Sequence, residues 1–142
     1  MSLGLVRTVL LALAVSLTSY TVASAATDAK TEKICEEAEE RYQELFGKPS
    51  KDEPVTIVKM YKYTFCPVVL EVKQGTTVRW VNVDKRTSHS VWFKDQGQEE
   101  SDRLFSEEDV EIKMDFPPGD LGYLCGPHYE KQGMTGRIIV TE

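Results

Sequence analysis

Short segments rich in β-branched residues fill residues 55–142 and constrain the fold more than any other feature of the sequence. In residues 110–116, apolar side chains alternate with acidic and basic ones, which is the period-two pattern of a strand with one solvated face. Further strands are predicted at residues 55–60, 76–83 and 137–141, and turn residues separate them. We therefore expect an all-β domain over residues 55–142, built as a Greek-key β-sandwich or small barrel.

A helical pattern precedes this domain, within residues 26–54. Apolar residues recur there at the spacing of one helix face, at Ile34, Ala38, Tyr42, Leu45 and Phe46. We expect a helix over residues 31–46, with Thr31 as its N-cap and Gly47 at its end. Since so short a helix is marginal alone, we expect this N-terminal amphipathic extension to pack on the β domain.

Residues 1–25 have the composition of a secretory signal peptide. Arg7 supplies a positive start, residues 9–15 supply an apolar run, and Ala23 and Ala25 form an A-x-A cleavage site. The apolar run is far shorter than the roughly 18 residues of a membrane span. We expect a cleaved export signal and a soluble protein in a bacterial periplasm, without stable membrane association.

Histidine and cysteine are scarce, with two and three copies in the chain. Cys125 and His128 lie three residues apart, so a thiolate and an imidazole can point at one ion from a single loop. His89 is the other histidine, and Met134 follows His128 by six residues. Two imidazoles, a thiolate and a thioether are the ligands of a copper electron-transfer site. Zinc is the alternative, although a thioether would be an unusual ligand for it.

The motifs around these residues resemble those of the cupredoxins, the small blue copper proteins that include plastocyanin, pseudoazurin and amicyanin. The resemblance comprises Phe65-x-Pro67, the segment from Val72 to Asp84 before His89, the motif G-Y-L-C-G-P-H, and G-M-x-G-x-I-x-V from Gly133 to Val140. It implies one copper ion that alternates between Cu(I) and Cu(II). The implied ligands are His89, Cys125 and His128 in a plane, with Met134 as the axial ligand. The implied function is to shuttle single electrons, not to act as an enzyme.

The ligand loop departs from this family pattern in its length. Five residues separate His128 from Met134, one more than in plastocyanin and pseudoazurin. We expect the extra residue to bulge around residues 130–132. The axial ligand is then either Met134 or Gln132, whose amide oxygen can take that place. A binuclear CuA centre would need a second cysteine at position 121, which is Leu121.

The resemblance also implies residues that surround the ligands. Ser88 precedes the first histidine and is the first choice for a hydrogen bond that tunes the copper, with Asn82 and Asp84 as further candidates. The family exposes the edge of its second histidine within an apolar patch where electrons leave. That edge would here belong to His128, with Pro127 beside it.

The formal net charge of −6 argues against broad binding to nucleic acid phosphates. Most of the excess acid falls in residues 95–111, where Arg103 is the only base among Asp95, Glu99, Glu100, Asp102, Glu107, Glu108, Asp109 and Glu111. This stretch is either a solvated loop or a docking surface for a basic redox partner such as a c-type cytochrome. The sequence leaves both interpretations open.

Cys35 and Cys66 remain once Cys125 is assigned to the metal. In an exported protein a disulfide between them is the favoured prediction. It would join the N-terminal helix to the segment that contains Phe65. The alternatives are two thiols that never meet, or an intermolecular bridge through Cys35.

Two other functions remain open. A copper chaperone or store would be expected to have a methionine-rich or exposed site, whereas Met60, Met114 and Met134 are widely spread. An enzyme could arise if the longer loop left a coordination position open, but no acid–base pair near the ligands supports this. A carrier that exchanges electrons with a cytochrome or a periplasmic oxidoreductase is the favoured prediction.

Overall fold

The computed structural model describes residues 28–142, so the predicted signal peptide at residues 1–25 lies outside the described residues. The helices are α1 (Ala29–Phe46) and α2 (Tyr129–Gln132). The strands are β1 (Thr56–Tyr61), β2 (Thr64–Cys66), β3 (Val69–Lys73), β4 (Thr77–Asn82), β5 (Asp109–Lys113), β6 (Gly119–Leu124) and β7 (Thr135–Thr141). None of the described helices is long and apolar enough to cross a membrane.

The strands form two mixed sheets that pack as a β-sandwich, as the sequence predicts. One sheet has the order β2-β1-β4-β5 and the other the order β3-β7-β6. The pairs β1–β4 and β3–β7 are parallel, and the remaining pairs are antiparallel. The antiparallel strands β4 and β5 are joined by a long connection, residues 83–108, and this connection contains His89.

The core between the sheets follows from the strand alternation. Val58 and Met60 of β1 and Val78 and Trp80 of β4 are fully buried and point into the sandwich. The Trp80 ring meets the ring of Tyr123 edge-on, with 5.5 Å between the centroids. Such aromatic contacts in a close-packed interior give the site above them a rigid base.

All four predicted strands are present, with ends shifted by a few residues, but β2, β3 and β6 were not predicted. β2 is three residues long and stops at Pro67, which cannot donate a ladder hydrogen bond. β3 lies at a sheet edge, and Val72 is its only buried residue. Both therefore lack the periodicity that identifies a strand.

Helix α1 begins before the predicted position, and the prediction that Thr31 is the N-cap is wrong. Asp28 is the N-cap, and its carboxylate accepts a hydrogen bond of 2.9 Å from the Thr31 backbone N–H. The two residue types are both good caps, and the carboxylate also suits the positive end of the helix dipole. Gly47 ends the helix in the left-handed conformation, as predicted.

The amphipathic face of α1 packs on the outer face of the first sheet. Ala38 and Tyr42 are buried against Ile57 and Val81, in a second cluster separate from the sandwich core. A disulfide joins Cys35 of α1 to Cys66 of β2, with 5.2 Å between the Cα atoms. The predicted disulfide is therefore confirmed, and the helix is covalently tied to the sheet.

An ion pair also joins α1 to β1. The Glu39 carboxylate accepts hydrogen bonds of 2.8 Å from Lys59 Nζ and 2.9 Å from the Ser50 N–H. Burial alone would raise the pKa of Glu39, but these hydrogen bonds outweigh it and lower the pKa to about 2. The ionised carboxylate therefore stabilises the fold above its unfolded pKa near 4.5, and this stabilisation disappears as the pH falls towards 2.

We expect Glu39→Gln to lower the free energy of unfolding at pH 7 by about 1.5–3 kcal/mol, the range for hydrogen bonds to charged groups. The difference from the native protein should shrink as the pH falls from 4.5 towards 2. Urea unfolding across this pH range measures it, with Glu40→Gln on the exposed face of the same helix as the control. If the difference in free energy of unfolding between the two proteins stays constant down to pH 2, the ionised Glu39 carboxylate is not its source.

Candidate metal centre

Three of the four predicted ligands come together at one end of the sandwich. Donor atoms of His89, Cys125 and His128 all lie within 4.8 Å of one another. The Cys125 Sγ is 3.4 Å from Nδ1 of His128 and 3.8 Å from Nδ1 of His89. The structure thus turns the same ring nitrogen of both histidines towards one thiol.

His89 reaches this position from the long connection between β4 and β5. Its backbone pairs with Leu104 in both directions, at 3.0 and 2.8 Å. Asn82, at the end of β4, donates from its side-chain amide to the carbonyl oxygens of Thr87 and Leu104, both at 2.8 Å. Asn82 therefore fixes both sides of the His89 backbone without touching the ring.

The other two donors, Cys125 and His128, lie on the loop between β6 and β7. The bulge expected around residues 130–132 is instead part of the single helical turn α2, so the additional loop length is absorbed as hydrogen-bonded helix. Gly133 ends this turn with φ 66°, a left-handed conformation that suits glycine. The Cys125 N–H then donates to the Met134 carbonyl oxygen at 3.1 Å, which closes the loop on itself.

The two candidates for the axial position have different surroundings. Met134 is 1% exposed and belongs to the sandwich core, and its N–H donates to the His128 carbonyl oxygen. Gln132 lies on the exposed side of α2. The fold thus buries the methionine next to the cluster and leaves the glutamine in solvent.

The site is buried on one side and open on the other. His89 and Cys125 are 0% exposed, whereas His128 is only partly buried. Burial lowers the pKa of His89, but hydrogen bonds to Asp84 and Cys125 outweigh it, so the pKa is raised overall. Burial and the nearby positive charges of His89 and Arg103 lower the pKa of His128.

A hydrogen-bond network that the sequence did not reveal surrounds the cysteine. The Ser90 backbone N–H lies 3.4 Å from Cys125 Sγ, and the Ser90 hydroxyl donates to a Glu100 carboxylate oxygen at 2.6 Å. The same hydroxyl accepts from the Gly126 N–H at 3.0 Å. The hydrogen bond to the cysteine sulfur therefore comes from Ser90 and not from Ser88, which was the first choice from the sequence. Ser88 is partly buried, and its side chain makes no hydrogen bond within residues 28–142.

The tip of the β1–β2 hairpin approaches the open side of the site. The Tyr63 ring meets the His128 ring edge-on, with 4.9 Å between the centroids, and 42% of Tyr63 is exposed. Both tip residues, Lys62 and Tyr63, have positive φ angles, of 46° and 58°. Residues other than glycine adopt this conformation at a cost of about 1 kcal/mol each, and such strain is common beside functional sites.

The residues predicted to dock a partner divide into two groups. Pro127 is partly buried beside His128, and Glu99, Asp102 and Glu107 are exposed. The other three acids have partners within the chain: Glu100 binds Ser90, Glu108 accepts from the Phe105 N–H at 2.8 Å, and Asp109 lies 3.8 Å from Arg79. Three of these six docking candidates thus have contacts within the chain.

The donor set fits copper in both distance and chemistry. Metal–ligand bonds of this kind are about 2.0–2.3 Å long, so two donor atoms that bind the same ion can be at most about 4.5 Å apart. Both sulfur–nitrogen distances, 3.4 and 3.8 Å, satisfy this condition. Cys125 is free of the disulfide and buried, and a soft thiolate with imidazoles is a ligand combination that copper prefers.

Solved copper proteins share this fold. The reduced Cu(I) form of a proline-to-glycine variant of amicyanin is 25% identical with a TM-score of 0.55, over 63% of this chain and 84% of that one. Amicyanin from Paracoccus versutus (Thiobacillus versutus) is 26% identical with a TM-score of 0.54, over 65% of this chain and 88% of that one. A Cu-containing nitrite reductase from Thermus scotoductus SA-01 is 33% identical with a TM-score of 0.54, over 68% of this chain but only 24% of that one.

A family model gives the broader assignment. The model for copper binding proteins of the plastocyanin/azurin family matches residues 54–141, which is more than half of the chain. The match includes both sheets and the whole cluster of His89, Cys125 and His128. The resemblance to cupredoxins seen in the sequence motifs is thereby confirmed, and the chain belongs to the plastocyanin/azurin family of copper-binding proteins.

Proposed function

We propose that His89, Cys125 and His128 hold one copper ion, with Met134 as the axial ligand, and that the protein carries single electrons between redox partners. The observation that carries this proposal is the buried thiol of Cys125, which lies between two imidazole Nδ1 atoms in a family of copper-binding proteins. The burial of Met134 and the exposure of Gln132 support the methionine as the axial ligand.

Copper, when bound, supplies a one-electron couple between Cu(I) and Cu(II). The protein holds its ligands so firmly that both states can use nearly the same geometry. His89 is fixed by backbone pairing with Leu104, and Cys125 is fixed by its N–H bond to Met134. The Ser90 N–H directed at the sulfur stabilises the thiolate and thereby tunes the couple. No bond of a substrate has to form or break.

His128 is the proposed path for electrons because it is the least buried of the three clustered ligands. We expect His128→Ala to slow reduction by ascorbate and oxidation by ferricyanide by at least about tenfold, since it removes a ligand and admits water. Stopped-flow absorbance measures both rates. Lys131→Ala, an exposed change on the same loop, is the control, and an unchanged rate and spectrum in His128→Ala would refute this path.

The exposed acids Glu99, Asp102 and Glu107 support docking of a basic redox protein. Charges of opposite sign accelerate association, and salt screens them over about 10 Å at 0.1 M ionic strength. We expect the electron-transfer rate with a basic c-type cytochrome to fall as salt is raised from 0.01 to about 0.5 M. A triple change of these acids to Gln or Asn should remove most of this dependence. A rate that does not vary with salt would refute docking through these acids and favour the interpretation of residues 95–111 as a solvated loop.

We further propose that residues 1–25 are a cleaved export signal, that residues 26–54 form the helical extension, and that the copper domain over residues 55–142 works in the periplasm. A copper carrier and a copper store differ in how readily they release the metal. A buried site such as that of Cys125 supports a carrier. A carrier should be reduced and reoxidised repeatedly while it retains its copper against a chelator, whereas a store or chaperone should lose it.

A further inference from the structure

One carboxylate oxygen joins two parts of the site that are distant in sequence. Oδ2 of Asp84 lies 2.8 Å from Nε2 of His89 and also accepts a hydrogen bond of 3.0 Å from the Lys62 backbone N–H. The Asp84 side chain is 13% exposed, and the His89 side chain is fully buried. An ionised carboxylate in this position is a strong acceptor for both N–H groups.

The contact with His89 selects one form of its imidazole ring. Because a carboxylate can only accept hydrogen bonds, Nε2 of the neutral ring must hold the proton. Nδ1 is then unprotonated, and this is the nitrogen that lies 3.8 Å from Cys125 Sγ. A carboxylate behind a ligand imidazole also makes that ligand more basic. Asp84 therefore prepares His89 as a ligand before any metal arrives.

The contact with Lys62 holds the hairpin tip that covers His128. Lys62 and Tyr63 both have left-handed backbones, so this tip needs contacts that compensate for the strain. Asp84 supplies one through the Lys62 N–H, and Glu37 of α1 supplies another through an ion pair with Lys62 Nζ. The result is the edge-on contact between Tyr63 and His128. Asp84 thus acts on both histidines.

Asp84 is itself oriented by the chain around it. Its backbone N–H donates to the side-chain oxygen of Asn82 at 2.9 Å. Arg41, Lys85 and Arg86 line an open cavity of about 420 Å³ beside it. Asp84 lines the same cavity as these cations, so removing its charge would leave a more positive environment near His89.

We propose that Asp84 is a positioning residue for the copper site: it sets the ring form of His89, secures the Tyr63 hairpin over His128, and favours Cu(II) over Cu(I) through its negative charge. This inference rests on the proposed function only in its last part. The first two parts concern the protein without metal and can be tested there.

The first experiment uses the metal-free protein. In the native chain, nitrogen-15 NMR should show His89 with its proton on Nε2, protected from exchange with solvent. Asp84→Ala should lose that protection, and its copper affinity should fall by about 10- to 100-fold, as for other groups that support metal ligands. An Asp84→Ala protein with the same ring form, protection and affinity would overturn the proposal.

The second experiment separates charge from shape in the copper-loaded protein. Asp84→Asn retains an acceptor of the same size but loses the charge, and we expect it to shift the equilibrium towards Cu(I) by roughly tenfold, or about 59 mV for one electron. Asp115→Asn, an exposed change beyond the far end of β5, is the charge-matched control and should shift the potential much less. Equal shifts in the two variants would overturn the charge effect.

The two proposals fail in different ways. If the native protein shows no thiolate–copper absorption, the proposed function fails, while the NMR result on the metal-free protein still decides whether Asp84 orients His89. If the native protein is blue but Asp84→Asn and Asp84→Ala leave potential, affinity and ring form unchanged, the function stands and the role of Asp84 is refuted.

Discussion

Replacement of Cys125 by serine is expected to abolish the intense visible absorption of the copper-loaded protein. That absorption arises from charge transfer between a thiolate and Cu(II), and a serine hydroxyl cannot supply it. The cysteine lies at the centre of the cluster, within 3.8 Å of both imidazole Nδ1 atoms, so no other described thiol can take its place. Absorbance after titration with Cu(II) measures the loss.

The matched control for this change replaces both cysteines of the disulfide, Cys35 and Cys66, by alanine. These sulfur atoms are bonded to each other and belong to the helix–sheet cluster, not to the metal site. The doubly substituted protein should therefore keep the full visible band under conditions where it is folded. A Cys125→Ser protein that remains intensely coloured would contradict the assignment of the thiolate ligand.

The same Cys35→Ala/Cys66→Ala protein is expected to be much less stable than the native one. The disulfide closes a loop with a sequence separation of 31 residues. In the chain-entropy model, loss of such a cross-link lowers the free energy of unfolding by roughly 3–4 kcal/mol. For a domain of this size that corresponds to a fall in Tm of roughly 10–15 °C.

Urea unfolding of the metal-free proteins measures this difference, because copper binding would add its own stabilisation. A count of free thiols checks the premise: the denatured native protein should react at Cys125 alone. Three reactive thiols would show that the disulfide does not form. A fall of less than about 1 kcal/mol in the free energy of unfolding would show that it does not stabilise the packing of α1 on the sheet.

The ligands could be predicted from the sequence because their residue types are rare. With two histidines and three cysteines in the chain, the spacing of Cys125 and His128 left few combinations. The strands around them were predictable where alternation was clear, as in β4 and β5. The structure adds that the loop accommodates its extra residue as the helical turn α2, a conformation that loop length alone does not specify.

Apart from the candidates Asn82 and Asp84, the groups that support the ligands could not be predicted in the same way. Ser90 and Glu100 meet only because the β4–β5 connection folds back on itself, and they are ten residues apart in sequence. Tyr63 approaches His128 only because the hairpin tip adopts an unfavourable backbone conformation. For the N-cap of α1, Asp28 and Thr31 are both good capping residues, so residue type alone does not choose between them.

The visible and electron-paramagnetic-resonance spectra of the native protein after addition of one equivalent of Cu(II) test the central claim most directly. The proposed site predicts an intense visible thiolate-to-copper band, narrow copper hyperfine splitting, and reversible bleaching by ascorbate. A band shifted strongly to shorter wavelength would mean that the axial bond differs from that expected for Met134. A colourless or weakly absorbing protein would contradict the claim that His89, Cys125 and His128 form a copper electron-transfer site.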